Sequence, residues 1–373
     1  MKRNVHGGNI YKKARELGMA EENILDFSAN ISPLGLPSHI KKAMTAAIEG
    51  TVNYPDPECT ALRESISRQD HVRADWIACG NGGADLLYRL AFGLTPKKVL
   101  LPVPAFVEYE EAMTAAGAEM VYVPMGRDMK VPADLAERIN GEIDLVVLCN
   151  PNNPTGLLTG REQIVEVLKR ARQYGAMVMV DECFLEMCRR ESEYTVKPWL
   201  GEFSNLMILK SFTKLYAIPG VRLGYLLCSS PAVIEKINRA GQAWPVSHIA
   251  QCAGVAALAQ PAYKKAVVEA VEKELAFMKE ELSSLPVKLF DGQANYLFFR
   301  APGITDLDDR LEKKGIMIRN CSNYVNLQGD YWRVAVKSHE ENKKLLDAMR
   351  DVLSVEQDVL GVEKSWGKMQ ASQ

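Results

Sequence analysis

Ser211-Phe212-Thr213-Lys214-Leu215-Tyr216-Ala217-Ile218-Pro219-Gly220-Val221-Arg222-Leu223-Gly224-Tyr225 gathers a serine, a threonine, a lysine, an arginine and two glycines into one short stretch. It follows the apolar run Leu206–Leu209. Hydroxyls, a guanidinium and close-approaching glycine backbone are what an anion site needs. In a partly dry pocket, a lysine beside an arginine has its ammonium disfavoured, which makes the amine a better nucleophile toward a carbonyl. A serine three residues before a lysine would by itself fit a polar surface loop with a solvated lysine. The full fifteen-residue stretch shifts the balance toward a functional loop.

Working outward, short apolar runs recur at Trp76–Cys79, Val99–Leu101, Met120–Val123, Leu145–Cys149, Met177–Val180, Leu206–Leu209 and Leu223–Cys228. Rich in Val, Leu and Ile, they suit strands buried on both faces. Amphipathic stretches lie between several of them. In Arg161–Tyr174, for example, Ile164, Val165, Val167, Leu168 and Ala171 fall at helical spacing. This alternation predicts an α/β fold, with a mostly parallel sheet covered on both sides. From Pro231 to Leu285 the pattern turns helical, and Ala262–Leu285 is long enough to bridge two domains. Strand-like Lys288–Phe290 and Asn295–Arg300, a helix at Asp306–Lys314, a strand at Trp332–Val336 and a helix at Glu341–Leu353 predict a smaller α+β unit. The expected division is an N-terminal segment 1–45 that closes the site and joins the small domain, a large domain 46–285, a small domain 286–353 and a loosely held tail 354–373.

The chain has 373 residues, 47% hydrophobic and 25% charged, within the ordinary range of globular proteins. Its formal charge of -2 and the lack of a basic stripe argue against nucleic acid as a partner. Eight scattered cysteines form no C-x-x-C pair, and no Cys/His cluster has zinc spacing, so no metal is expected. The basic N-terminus lacks the apolar stretch of a secretory signal, and no membrane span is expected. Together these features suggest a cytoplasmic protein.

Three further segments carry chemistry. Asn150-Pro151-Asn152-Asn153-Pro154-Thr155-Gly156 follows the run Leu145–Cys149 and reads as a turn that could present the Asn153 amide to a ligand. Asp181 ends the run Met177–Val180. A carboxylate there points into the ligand crevice of an open α/β sheet, or caps a helix. Gly80-Asn81-Gly82-Gly83-Ala84-Asp85 joins a strand to a helix, where backbone N–H groups can meet a phosphate or simply make a tight turn.

Asn153-Pro-Thr-Gly, Asp181, Ser211-x-x-Lys214 and Gly220-x-Arg222-x-Gly-Tyr, in that order, resemble the fold-type I pyridoxal 5'-phosphate (PLP) family of class I/II aminotransferases over most of the chain. The resemblance implies a large domain with a seven-stranded type of sheet, a small domain, and a homodimer with its active site at the interface. It implies Lys214 as the Schiff-base lysine and Asp181 as partner of the pyridine nitrogen, which stays protonated so that the ring is a better electron sink. Asn153 would meet the ring 3'-oxygen. Asn81, Gly82, Gly83, Ser211, Thr213 and Arg222 would hold the cofactor phosphate, and Phe106 would stack on the ring. Tyr54 would reach the neighbouring subunit's cofactor phosphate. Where many relatives carry a tyrosine three residues after the aspartate, this chain has Phe184.

Within that family, His6-Gly7-Gly8-Asn9 and Leu25-Asp26-Phe27-Ser28-Ala29-Asn30-Ile31-Ser32-Pro33-Leu34-Gly35 resemble the branch that decarboxylates O-phospho-L-threonine to (R)-1-amino-2-propanol O-phosphate for cobalamin biosynthesis. By that resemblance His6, Gly7, Asn30 and Asn153 meet the substrate, Arg333 clamps its α-carboxylate and Arg319 its phosphate. Three alternatives remain open at this point: decarboxylation of O-phospho-L-serine, transamination of histidinol phosphate, and a non-catalytic protein on the same fold. The last is disfavoured because Lys214 is present and no DNA-binding module is visible.

Overall fold

The computed structural model describes residues 6–353, so the expected tail lies outside the described residues. Among the described residues thirteen strands run in chain order as β1 Leu25–Asp26, β2 Ile77–Gly80, β3 Lys98–Val103, β4 Glu119–Pro124, β5 Leu145–Cys149, β6 Met177–Asp181, β7 Leu206–Ser211, β8 Gly224–Cys228, β9 Lys288–Leu289, β10 Tyr296–Arg300, β11 Ile316–Met317, β12 Arg319–Asn320 and β13 Tyr331–Ala335. Seven of them form the large sheet, in the order β2-β8-β7-β6-β5-β3-β4. Each of the seven apolar runs became one of these strands. The sheet is parallel from β4 through β7, while β8 runs antiparallel to both its neighbours. That reversal follows from connectivity, since the link between β7 and β8 holds only the short helix Phe212–Leu215 and a single helical turn at Pro219–Val221, and β8 returns directly beside β7.

Both faces of this sheet are buried, and side-chain parity divides them. Val146, Leu148, Val178, Val180, Leu206 and Ile208 face one core. Leu145, Val147, Cys149, Met179, Met207 and Leu209 face the other. Since β5, β6 and β7 are in register, Cys149, Asp181 and Leu209 stand abreast at the carboxyl ends of their strands. Lys210, with the opposite parity, turns into the first core, near Glu186 and Glu191.

The second unit is built on the sheet β12-β13-β10-β9. Its core packs Phe27, Leu297, Phe299, Trp332 and Val334 against a helix over residues 339–353. The helix Pro261–Ser283 serves both units: Val267 and Val271 pack in the large core, Leu275, Met278 and Leu282 in the small one. The N-terminal segment docks on the small unit through β1, which pairs in parallel with β11. The backbone of Phe27 continues this pairing, bonding Met317 O and Ala335 N at 2.8 Å each. No periodicity announces strands as short as β1, β11 and β12, since two residues define no pattern. No helix among the described residues is long and apolar enough to cross a membrane.

Phe27 is fully buried, so Phe27→Ala leaves a cavity and costs about 3–5 kcal/mol. Chemical denaturation measures this cost. A loss under about 1 kcal/mol shows that the N-terminal segment is not anchored by this ring.

Candidate active site

A cavity of about 340 Å³ opens at the carboxyl ends of the parallel strands, between the two units. Its floor is Cys149, Asp181, Leu209 and Ser211 from the large sheet. Gly83, Ala84, Thr213, Lys214 and Arg222 close one side, and Arg319, Tyr324 and Arg333 come from the small unit. The residues 6, 7, 28, 29 and 30 of the N-terminal segment cover it.

Lys214 sits in the short helix that follows β7. Burial pushes its ammonium down to about 8, aided by Arg222 and Arg333 and opposed by Cys183 and Asp181. Asp181 shows the reverse effect. Burial pushes its carboxyl up, while donors on Cys183 and Tyr109, together with Lys214, hold it down. The Tyr109 hydroxyl donates to Asp181 Oδ2 at 2.6 Å, and the Cys183 N–H donates to Oδ1 at 2.8 Å. Burial raises Tyr109 well above the usual tyrosine range, so it stays a donor.

The anion cradle is set by close backbone approach. A Cβ on Gly82, where φ is +86°, would lie 2.4 Å from Arg222 Nη2. One on Gly224 would lie 2.9 Å from the Gly83 nitrogen. Glycine is therefore required at both places. Ser211 and Thr213 share a hydroxyl hydrogen bond of 2.8 Å. Asn81 is exposed at the start of the helix Gly82–Leu94 and its N–H donates to Asp85, so of that motif Gly83 and Ala84 reach the cavity wall while Asn81 and Gly82 do not.

Phe106 lines the cavity with its ring edge-to-face on Tyr109, centroids 5.7 Å apart. Asn153 Oδ1 accepts from Arg333 Nη1 and lies 3.4 Å from the Tyr324 hydroxyl, leaving its amide N–H groups available to a ligand. Phe184 faces the cavity and packs edge-to-face on Tyr296. Tyr54 is 78% exposed, stacked on Trp244 at 4.3 Å, and lies outside this cavity.

Arg319 and Arg333 are directly opposite residues on β12 and β13, both nearly fully buried. Arg333 Nη2 donates to Ser28 O at 2.8 Å, and Arg319 Nη2 donates to Asn323 Oδ1 at 2.8 Å. Neither forms an ion pair with a carboxylate among the described residues. Arg333 Nε has no hydrogen-bond partner among them, and neither does the buried Oδ1 of Asn30. Like charges directly across a strand pair repel, so two adjacent buried guanidiniums call for anions from outside.

The N-terminal segment is clamped by close contact. Gly8 N donates to Ser28 Oγ at 2.8 Å, and Ser28 Oγ donates to Asp26 Oδ1 at 2.5 Å. A Cβ on Gly7 would fall 2.4 Å from the Ser28 carbonyl oxygen. His6 then lies against Glu108 at 3.1 Å.

These residues fit PLP by their chemistry: a buried amine of depressed pKa, a buried carboxylate, and a cradle that a Cβ would fill. Tyr109, Tyr324, Cys183 and Ser28 were not anticipated. Tyr109 stands three residues after Phe106, one helical turn along, which was the only available signal.

The family model for aminotransferase class I and II matches residues 22–349. The threonine-phosphate decarboxylase of Salmonella typhimurium is 35% identical over 353 residues, 94% of this chain and 96% of that protein. The adenosylcobalamin biosynthesis bifunctional protein of Leptospira interrogans is 30% identical over 93% of this chain, which spans 41% of that longer protein. Among solved structures, the histidinol-phosphate aminotransferase of Clostridium acetobutylicum superposes with a TM-score of 0.84 at 29% identity, covering 89% of this chain and 99% of that one.

Two outcomes are expected. A lysine with a depressed pKa is neutral above that value, so the rate at which apo-protein captures pyridoxal phosphate rises with pH and levels off above about 8. A rise that continues toward the ordinary lysine range shows an exposed Lys214. Tyr109→Phe removes one donor from the buried carboxylate, worth about 1.5 kcal/mol, and weakens cofactor retention about tenfold in equilibrium dialysis. Unchanged retention shows that the hydroxyl does not support the charge of Asp181.

Proposed function

Because the chain belongs to the aminotransferase class I and II family, we propose that it uses PLP to decarboxylate O-phospho-L-threonine, releasing carbon dioxide and (R)-1-amino-2-propanol O-phosphate for cobalamin biosynthesis. The observation that carries this reading is the pair of adjacent buried guanidiniums, Arg319 and Arg333, facing the same cavity as Lys214. A small amino acid with a carboxylate and a phosphate supplies the two anions that this pair lacks. Similarity to the threonine-phosphate decarboxylase of Salmonella typhimurium supports the choice of reaction.

When bound, PLP supplies an electron sink for the pair left behind by carbon dioxide. Asp181, which accepts hydrogen bonds from Tyr109 and the Cys183 N–H, would face the pyridine nitrogen, and Asn153 the ring 3'-oxygen. Gly83, Ser211, Thr213 and Arg222 would hold the cofactor phosphate, and Phe106 would cover one ring face. Arg333, braced by Ser28 O and Asn153, takes the substrate carboxylate and sets the direction of the bond that breaks. Arg319 takes the substrate phosphate. Neutral Lys214 Nζ accepts a proton from the substrate ammonium and delivers it to Cα after carbon dioxide leaves. Residues 6–30 exclude water from the mouth. The exposed ring of Tyr54 fits a role in the site of a second copy of the chain, making the working unit a homodimer.

The test is product analysis of PLP-loaded protein given O-phospho-L-threonine, O-phospho-L-serine and L-histidinol phosphate in turn, with and without 2-oxoglutarate. Carbon dioxide and an amine phosphate appear without the keto acid, fastest from O-phospho-L-threonine. Glutamate without carbon dioxide makes the chain an aminotransferase instead. Lys214→Ala abolishes turnover. Arg333→Lys loses bidentate contact, about 3 kcal/mol, and lowers kcat/KM about 100-fold.

A further inference from the structure

The cavity mouth carries two carboxylates that the proposed reaction does not use, and His6 of the covering segment converges on them. His6 and Glu108 meet there at 3.1 Å, and Glu111 lies beside them. One ligand atom from each of the three falls within 4.8 Å of the others. Glu108 and Glu111 stand three residues apart near the start of the helix Val107–Ala115, so they share one face. Glu110 points elsewhere, toward the Tyr122 hydroxyl. Among the described residues neither Glu108 nor Glu111 forms an ion pair with lysine or arginine; His6 is the partner of Glu108. Two carboxylates on one face repel each other at no benefit to folding, and an imidazole converges on them from another part of the chain.

We propose that His6, Glu108 and Glu111 form a binding site for a divalent transition-metal ion of the zinc class, which staples the N-terminal segment to the helix Val107–Ala115 and narrows the mouth of the active site. One imidazole nitrogen and two carboxylate oxygens are ligands that zinc accepts in tetrahedral geometry, with the fourth position open to water. Bond lengths of about 2.0–2.2 Å place tetrahedral ligands roughly 3.4 Å apart. The His6–Glu108 spacing already lies near this value. Glu111 is half-exposed, so its side chain can rotate inward. Harder ions such as Mg²⁺ favour oxygen ligands and near-octahedral geometry, and this site suits them poorly.

Placement gives the ion a consequence. His6 is the first described residue of the covering segment, and its ring is tilted against Phe106 with centroids 6.2 Å apart. Around His6 the segment is held to the small unit, through the Lys13–Glu312 ion pair at 2.8 Å and the β1–β11 pairing, and it meets the large unit farther along, where Ser32 N donates to Lys214 O. The helix bearing Glu108 and Glu111 belongs to the large unit, in the core that contains Tyr109 and Met113. A metal ion here therefore ties the two units together across the substrate entrance. Transition-metal ions would act as inhibitors that lock the entrance, and chelators would relieve them. Metal binding itself is independent of the reaction proposed above.

The test is calorimetric titration of metal-stripped holoenzyme with Zn²⁺, and with Mg²⁺ as the control, for the native chain, His6→Ala and Glu111→Gln. Co²⁺ is added separately as a spectroscopic probe. The native chain takes up one zinc per chain, Mg²⁺ does not bind, and Co²⁺ gives the intense visible bands of a tetrahedral site. Losing even an outer-shell partner costs about 10–100-fold in metal affinity, so loss of either ligand weakens zinc at least about 100-fold. Glu111→Gln keeps the metal-free turnover of the native chain and is no longer slowed by zinc. Zinc binding of equal strength in both variants places the ion on thiols elsewhere and overturns the proposal, as does the absence of binding to the native chain. Equal inhibition of native and Glu111→Gln protein overturns the staple.

Discussion

Asp181 is a carboxylate buried at the end of a parallel strand, and the site is organised around the cost of keeping it charged. Burial pushes its carboxyl up. Three surroundings oppose that outcome: the Tyr109 hydroxyl, the Cys183 N–H and the nearby Lys214. Strand parity makes the arrangement possible. With β5, β6 and β7 in register, Cys149, Asp181 and Leu209 face one side, and Ser211 follows two residues later on that same side. A one-residue slip would send Asp181 into the opposite core and bring Lys210 into the cavity.

The small unit contributes the complementary charge. Arg319 and Arg333 are cross-strand neighbours whose side chains enter the cavity from the side facing Asp181 and Lys214. The protein gives them hydrogen bonds to Ser28 O, Asn153 and Asn323 but no compensating anion among the described residues. Alongside burial and Arg222, Arg333 also helps to depress Lys214. In the proposed function Arg333 would thus both take a substrate anion and add to the burial that depresses the lysine.

The N-terminal segment links these parts. Phe27 fixes it in the small core, the Asp26–Ser28–Gly8 hydrogen bonds set its path, and Ser32 N donates to Lys214 O at 2.9 Å. Asn30 and His6 reach the cavity because of this path. Gly7 can lie on Ser28 only without a Cβ. The motif His6-Gly7-Gly8-Asn9 is thereby explained by packing as much as by chemistry.

The sequence alone determined the α/β class and the seven strands of the large sheet, since runs such as Leu145–Cys149 and Met177–Val180 are buried on both faces and leave a strong apolar signal. It also singled out the loop from Ser211 to Tyr225, because a rare density of anion-binding residues at the end of a strand has few other uses. Only the tertiary structure decided the antiparallel setting of β8, the two-residue strands that dock the N-terminal segment, and the meeting of Arg319 with Arg333. It also revealed Tyr109 as the donor that steadies Asp181. These features share one physical cause: they arise from contacts between segments far apart in the chain, where local periodicity carries no information and register and packing settle which side chains meet.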